Sequence, residues 1–402
     1  MAPPFHAEQI GSLLRPAELA ETRKNLSSNL AHSRIPQEAK TSYEKLERQC
    51  IADAVHEQLT RKIRPITDGE YGRTLFYDGL FEKTPGFAVR NIQWDQLRTS
   101  FPTTKGYLKL QYSKRTVVIA TAKIKYGGSA YMSEWLYLRS LIPMENWTEC
   151  KLTMPSPTWI HMQMKPGTAY DPESGYTSDA AYFADLAEVF RRELRTLHEA
   201  GLHNVQIDDP QLTYFCDEEF LAGCRADGQD PDELLDMYIK AHDDCLKDKP
   251  ESMHVGVHLC RGNAPQGMYF SSGSYENIAK KLFNELAYDT FYLEYDTERA
   301  GNFEPLRFLP PSKNVVLGVV TTKTAEMEDL WILKERVEEA VSTIAKGQGT
   351  SREEVMKSVG VSPQCGFSSS SHGGGVGMDK EKMWEKLELV RDLAKKIWGN
   401  EV

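Results

Sequence analysis

Nowhere in the 402 residues does an apolar run approach the ~18 residues that a bilayer-spanning helix needs. The opening, MAPPFHAEQIGSLLRP, has neither the basic stretch nor the apolar core of a secretion signal, so a cytosolic address is expected. Cysteines are few, odd in number and irregularly spaced, seven in all at Cys50, Cys150, Cys216, Cys224, Cys245, Cys260 and Cys365. That excludes a regular disulfide framework and predicts thiols and metal ligands instead. Basic charge is also short. The formal net charge of −10 argues against nucleic acid or an anionic membrane as the main partner, leaving small molecules. There is no internal sequence repeat and no shift of composition along the chain, so residues 1–402 read as a single domain whose oligomeric state is open.

What the chain does have is alternation. From about residue 60, short β-rich runs and amphipathic helical stretches take turns, the pattern of βα units around a parallel sheet. The runs IRPITDGE, VVIATAKIKYG, CKLTMPSPT, NVQIDDP, MHVGVHLC, TFYLEYD, NVVLGVVTTK and VGVSPQCGF make eight strands, which predicts an α/β protein built as a (β/α)8 barrel. Helices are predicted from Ser178 and Asp179 to Gly201, from about Asp217 to Leu246, near 275–287 and 326–346, and from Asp379 to Ile397. An N-terminal helical extension at 37–63 and an insert at 86–115 exceed the barrel minimum, and are expected to cap its floor or form a lid. SSSSHGGGVG at 368–377 reads as an adaptable loop over the site.

Active sites of such barrels lie at the C-terminal strand ends, and four metal-binding side chains fall there: His258 and Cys260 in MHVGVHLC, Glu294 in TFYLEYD and Cys365 in VGVSPQCGF. Residues two apart on a strand face the same side, so His258 and Cys260 reach one ion. Two thiolates, an imidazole and a carboxylate suit zinc, which takes S, N and O donors in a tetrahedron. Alone, an H-x-C pair is more often a core histidine and a small buried hydrophobe than a ligand pair. Placement at a common rim raises the odds.

With these residues in view, the chain resembles the C-terminal, catalytic half of cobalamin-independent methionine synthase, from QIGSLLRP to SPQCGF. The resemblance implies that His258, Cys260, Glu294 and Cys365 hold zinc. It also implies that Ile10, Gly11 and Ser12 contact an amino acid substrate, that Glu70 (followed by Arg73) and Asp208 (in the Asp208-Asp209-Pro210 run) bind a homocysteine ammonium group, and that the fold is the short, single-barrel form. The full-length synthases have an Asp-x-His element where this chain places Lys323, and in the combination GSLLRP, TDGE, VTTKT and SPQCGF the chain looks closer to short bacterial-type homologues and to epoxyalkane:coenzyme M transferase. Trp159 is offset from the pterin-stacking tryptophan of the family.

The chemistry expected from the resemblance is transfer of a methyl or other alkyl group to a small thiol, with zinc deprotonating that thiol. Catalytic roles fall to Asp208 and Lys323; Asp209, Glu298 and Lys323 are the candidates for a general acid toward a methyl-folate donor. The first alternative is thiol addition to an epoxide, with Lys323 stabilising the opening oxygen. A barrel that binds zinc or folate without turnover is an alternative of another class, and the strand-end acids Glu70 and Asp208 count against it.

Overall fold

The computed structural model describes residues 3–28, 37–102, 115–370 and 373–399. Six of the eight anticipated strands form one continuous parallel sheet in chain order: β3 (Leu152–Pro155), β4 (Asn204–Asp208), β5 (His254–Leu259), β6 (Thr290–Glu294), β7 (Asn314–Val320) and β8 (Val359–Pro363), preceded in the chain by β1 (Phe87–Ile92) and β2 (Arg115–Ala120) of a separate pair. Nearly every residue of the six strands is buried, as expected where helices cover a parallel sheet.

Two strands come out differently. VVIATAKIKYG does not join the parallel sheet; its first half is β2, which pairs antiparallel with β1. Ile92, Val117 and Ile119 of this pair pack on Met164 and Ala169, in the connection that follows β3. Residues 103–114 of the predicted insert lie outside the described residues. IRPITDGE forms no ladder: Ile66 makes one parallel bridge to Cys150, and Pro65, with no N–H, cannot extend it.

Side-chain hydrogen bonds do the ladder's work there. Gln58, fully buried on the helix Gln37–Arg61, accepts from Thr67 N (2.9 Å) and Gln9 Nε2 (2.7 Å), and donates to Thr67 O at 2.9 Å. The Thr67 hydroxyl donates to Gly11 O (2.8 Å), and Leu13 N donates to Gly69 O (3.1 Å). On the other side, Ala7 bridges Val361 of β8. The segments 7–13 and 63–70 thus lie side by side between β8 and β3.

The helices follow their caps. Ser178, Asp230, Asp329 and Asp379 each accept a backbone N–H at the start of Asp179–Glu199, Pro231–Leu246, Leu330–Gln348 and Lys380–Trp398. The stretch predicted as one helix from Asp217 to Leu246 is two, Glu218–Ala226 and Pro231–Leu246, because Gly228 turns left-handed (φ 76°) and Pro231 opens a new helix. All seven cysteines are free and buried. No helix among the described residues is long and apolar enough to cross a membrane.

Candidate metal and thiol site

Strand register assembles the site. Asp208, the last residue of β4, pairs with His258 of β5, and His258 pairs with Tyr292 of β6. Glu294 ends β6, and Cys260 and Cys365 follow β5 and β8 by one and two residues. The ligand atoms of His258, Cys260 and Cys365 all lie within 4.8 Å of one another, and all three residues are buried. These three of the four predicted ligands converge.

Two features fit a metal at this point. Both ring nitrogens of His258 are buried with no oxygen or nitrogen partner, and it is the Cys260 sulfur that faces the ring, an arrangement that is costly unless something else takes a lone pair. The thiols are polarised as well: a hydrogen bond from Cys365 holds the Cys260 sulfur well below the usual thiol range, and the same contact, with burial, pushes Cys365 well above it. Burial would pull the His258 imidazole down, but the adjacent Cys260, Asp208 and Glu294 outweigh it and raise its pKa. A set of one imidazole and two thiols, one already inclined to ionise, suits zinc.

Glu294 stands apart from that cluster. Its Oε1 accepts from Arg299 Nε at 2.8 Å and also from Arg299 Nη2, while Oε2 accepts from the backbone N–H of Arg261 at 3.0 Å. Burial and neighbouring Asp296 raise its pKa against the pull of the two arginines.

Of the two predicted substrate acids, Asp208 lies beside His258 and Cys260, and Glu70 lies beside Asp208. Burial pushes Asp208 up to about 7, opposed by His258 and reinforced by Glu70, so the two carboxylates sense each other. Gln206, two residues earlier and therefore on the same face of β4, donates through Nε2 both to Asp208 Oδ1 and to Ile10 O, each at 2.7 Å. Glu70 sits at a left-handed φ of 58°, its N–H held by Asp68 Oδ1 at 2.8 Å. Its Oε1 accepts from the Thr153 hydroxyl at 2.7 Å, and its Oε2 is buried with no partner. Burial raises this carboxyl too, against Arg73 and Arg15. Arg73 is fixed by Thr153 and Glu134, with Nη2 2.9 Å from Glu134 Oε2.

Ile10, Gly11 and Ser12 run between Glu70 and the loop after β8. Gly11 has φ 133°, and a Cβ there would lie 2.6 Å from Thr153 Cγ2, so only glycine lets the chain pass this close to Glu70. Phe367 N donates to Ser12 O at 2.9 Å, and a Cβ on Gly366 would clash with the Ser12 hydroxyl.

The general-acid candidates part company. The Asp209 carboxylate is committed to four donors: Thr158 Oγ1 (2.9 Å), His242 Nε2 (3.0 Å) and the N–H groups of Gln211 (2.9 Å) and Leu212 (3.0 Å). Glu298 is exposed. Lys323 is buried close enough to Cys365 to favour its thiolate, and its ammonium donates to Gly262 O at 2.7 Å, with Asn263 Oδ1 at 3.4 Å. Trp159 packs in an aromatic trio, its ring 5.0 Å from Phe76 and 4.6 Å from Tyr77.

The Ser/Gly loop is better fastened than its composition implies. The Ser368 hydroxyl donates to Ser370 O and Gly373 O, Gln266 N donates to Gly374 O, and Val376 N donates to Lys323 O. Ser371 and His372 lie outside the described residues. Thr153, Gln206 and Arg299, which hold Glu70, Asp208 and Glu294, went unread in the sequence. Only Gln206 carried a signal there, as a polar side chain two residues before Asp208 in a buried strand.

Comparison with known proteins agrees with the resemblance. The model of the cobalamin-independent synthase catalytic domain matches residues 173–395, more than half of the chain. The uncharacterized proteins YxjH and YxjG of Bacillus subtilis (strain 168) are each 28% identical, over 98% of this chain and 95% of their own. A solved structure described as a putative vitamin-B12 independent methionine synthase from Listeria monocytogenes is 26% identical and superposes over 100% of both chains with a TM-score of 0.71. A B12-independent methionine synthase from Shewanella sp. W3-18-1, solved with selenomethionine, shares the fold at a TM-score of 0.66, covering 98% of this chain and 97% of its own at 17% identity. The chain belongs to the cobalamin-independent synthase catalytic-domain family.

Proposed function

We propose that the chain is a zinc-dependent S-methyltransferase that moves a methyl group from a donor such as 5-methyltetrahydrofolate to homocysteine or a closely related small thiol. The observation that carries this reading is the convergence of His258, Cys260 and Cys365, with a buried imidazole that has no oxygen or nitrogen partner, beside two buried carboxylates. His258, Cys260 and Cys365 would hold the zinc, and Glu294 is the fourth donor that the family pattern assigns. Bound there, zinc would supply a substrate thiol in its ionised, nucleophilic form at neutral pH. We read the six-stranded sheet, completed by segments 7–13 and 63–70, as a (β/α)8 barrel, residues 1–402 as one domain, and the compartment as cytosolic.

The residues of the chain do the rest. Glu70 and Asp208 present two carboxylates that burial makes reluctant to ionise together, a site that an ammonium group would relieve. Ser12, packed against Gly366 next to Cys365, and the backbone of Gly11 beside Glu70 would contact the amino acid. Asp208→Asn is expected to weaken homocysteine binding by about 1.5–3 kcal/mol, the range for a hydrogen bond to a charged group, and to leave the melting temperature nearly unchanged. Titration calorimetry and a thermal melt check it; unchanged affinity with a collapsed melting temperature would make the acid structural.

The test of the activity is a panel of thiols against donors, run on zinc-loaded protein. Methionine formed from homocysteine and methyl-folate supports the proposal; inertness toward every methyl donor overturns it. One observation favours a second reading, thiol addition to an epoxide: the Lys323 ammonium is buried beside Cys365, and from there it would stabilise a developing oxyanion. In that case Lys323→Met should slow the chemical step by roughly 10²–10³-fold, comparable to losing an oxyanion donor, with thiol binding intact. Robust methyl-folate turnover by the Lys323→Met variant would instead remove the lysine from the mechanism.

A further inference from the structure

Arg299 ties the end of β6 to the segment that follows Cys260. It lies in the short turn Glu298–Ala300, its guanidinium sits 4.8 Å over the half-exposed ring of Tyr269, and its carbonyl accepts from Gly273 N at 3.0 Å. The same guanidinium donates twice to Glu294 Oε1 and once, at 2.9 Å, to Asp296 Oδ1. With Arg261 N on Oε2, both Glu294 oxygens are engaged by protein donors, and the carboxylate stands outside the His258, Cys260 and Cys365 cluster.

We propose that Arg299 is a positioning residue that competes with the metal for Glu294, holding this carboxylate as a weak, withdrawable donor. The inference rests on the zinc reading above. A carboxylate whose negative charge is shared with a guanidinium is a poorer ligand, and two N–H bonds to one oxygen fix its direction. Without Arg299 the site would keep the full charge of Glu294 and Asp296, and Oε1, left without its donors while Oε2 stays on Arg261 N, would be available to the His258, Cys260 and Cys365 cluster. A site closed by four protein ligands behaves as a structural zinc site; one with a loosely held fourth ligand admits a substrate thiol. Arg299 therefore keeps the fourth position exchangeable.

The experiment measures zinc affinity of the purified chain by chelator competition, and the visible spectrum of the cobalt-substituted chain with and without homocysteine. Arg299→Met is expected to bind zinc at least about tenfold tighter, the scale on which groups behind the ligands act, and its cobalt spectrum should no longer respond to homocysteine at concentrations that saturate the parent. Arg299→Lys, which keeps the charge, should lie between. Glu294→Gln alone should cost less than about tenfold in zinc affinity, and should abolish the effect of Arg299→Met when the two are combined. Unchanged or weaker zinc binding by a folded Arg299→Met, or a gain that persists in the Glu294→Gln background, overturns the proposal. Should Arg299→Met fail to fold, a loss beyond tenfold in Glu294→Gln overturns it by itself. A parent chain that takes up neither zinc nor cobalt overturns the zinc reading first, and this inference with it.

Discussion

Replacing Cys365 by serine is expected to empty the metal site: zinc per chain should fall from about one to near zero, and thiol alkylation should fall by well over 10²-fold, more than the 10–100-fold typical of residues behind the ligands. The reason is the ligand count. With Glu294 engaged by Arg299, the cluster offers one imidazole and two sulfurs, so losing one sulfur leaves two strong donors. Serine is nearly isosteric but far less acidic, and does not replace a thiolate on zinc at neutral pH. Cys260→Ser should behave alike, and Cys216→Ser, at a buried thiol outside the cluster, should keep its zinc. Metal analysis of the purified variants decides it. Full zinc occupancy in the Cys260→Ser, Cys365→Ser double variant would end the assignment.

The strands carrying these ligands were readable because parallel strands buried on both faces appear as short, continuous apolar runs. MHVGVHLC, TFYLEYD and VGVSPQCGF stop where polar side chains begin, and those side chains make up the candidate site. Two failures have local causes. VVIATAKIKYG has the composition of a core strand, but composition does not name a partner, and it pairs with Phe87–Ile92 away from the main sheet. IRPITDGE contains a proline where a ladder needs a donor, and Gln58 on a distant helix takes the place of that ladder.

Helix ends fared better, because a cap is a local device: Ser178 and Asp379 were legible as starts, and Asp230-Pro231 marks the break inside 217–246 that periodicity alone passed over. Residues that support the site from a distance were not legible. Thr153 meets Glu70 and Gln206 meets Ile10 only once the N-terminal segments lie beside β3 and β4, and Arg299 meets Glu294 only in the turn that follows β6, at a spacing that no strand or helix period marks.

The same lesson attaches to Lys151, a lysine in the apolar run CKLTMP whose fully buried ammonium lies 2.9 Å from the equally buried Glu8 and 4.6 Å over the ring of Tyr292. It also donates to Gln9 O. This pair ties the N-terminal segment beside β8 to the start of β3, so it spans the place where the sheet's two ends approach. Burial pulls Lys151 down and pushes Glu8 up, while each holds the other charged. Lys151→Met should therefore cost about 3–5 kcal/mol, the penalty for stranding a buried charge. In a chain of this length that lowers the melting temperature by roughly 4–6 °C. The loss should shrink as the pH falls. Glu8 in the variant has a folded-state pKa above its unfolded value, so the folded state gains protons over the unfolded one and is favoured by acid, and it loses that advantage as the pH rises through the folded pKa. Replacing both members, Glu8→Leu with Lys151→Met, removes the stranded charge and should recover most of the loss. Denaturant melts of the three variants at two pH values make the comparison. A single variant as stable as the parent at neutral pH would show that Glu8 finds water or another donor there, and that the pair is not what holds the N-terminal segment against β3.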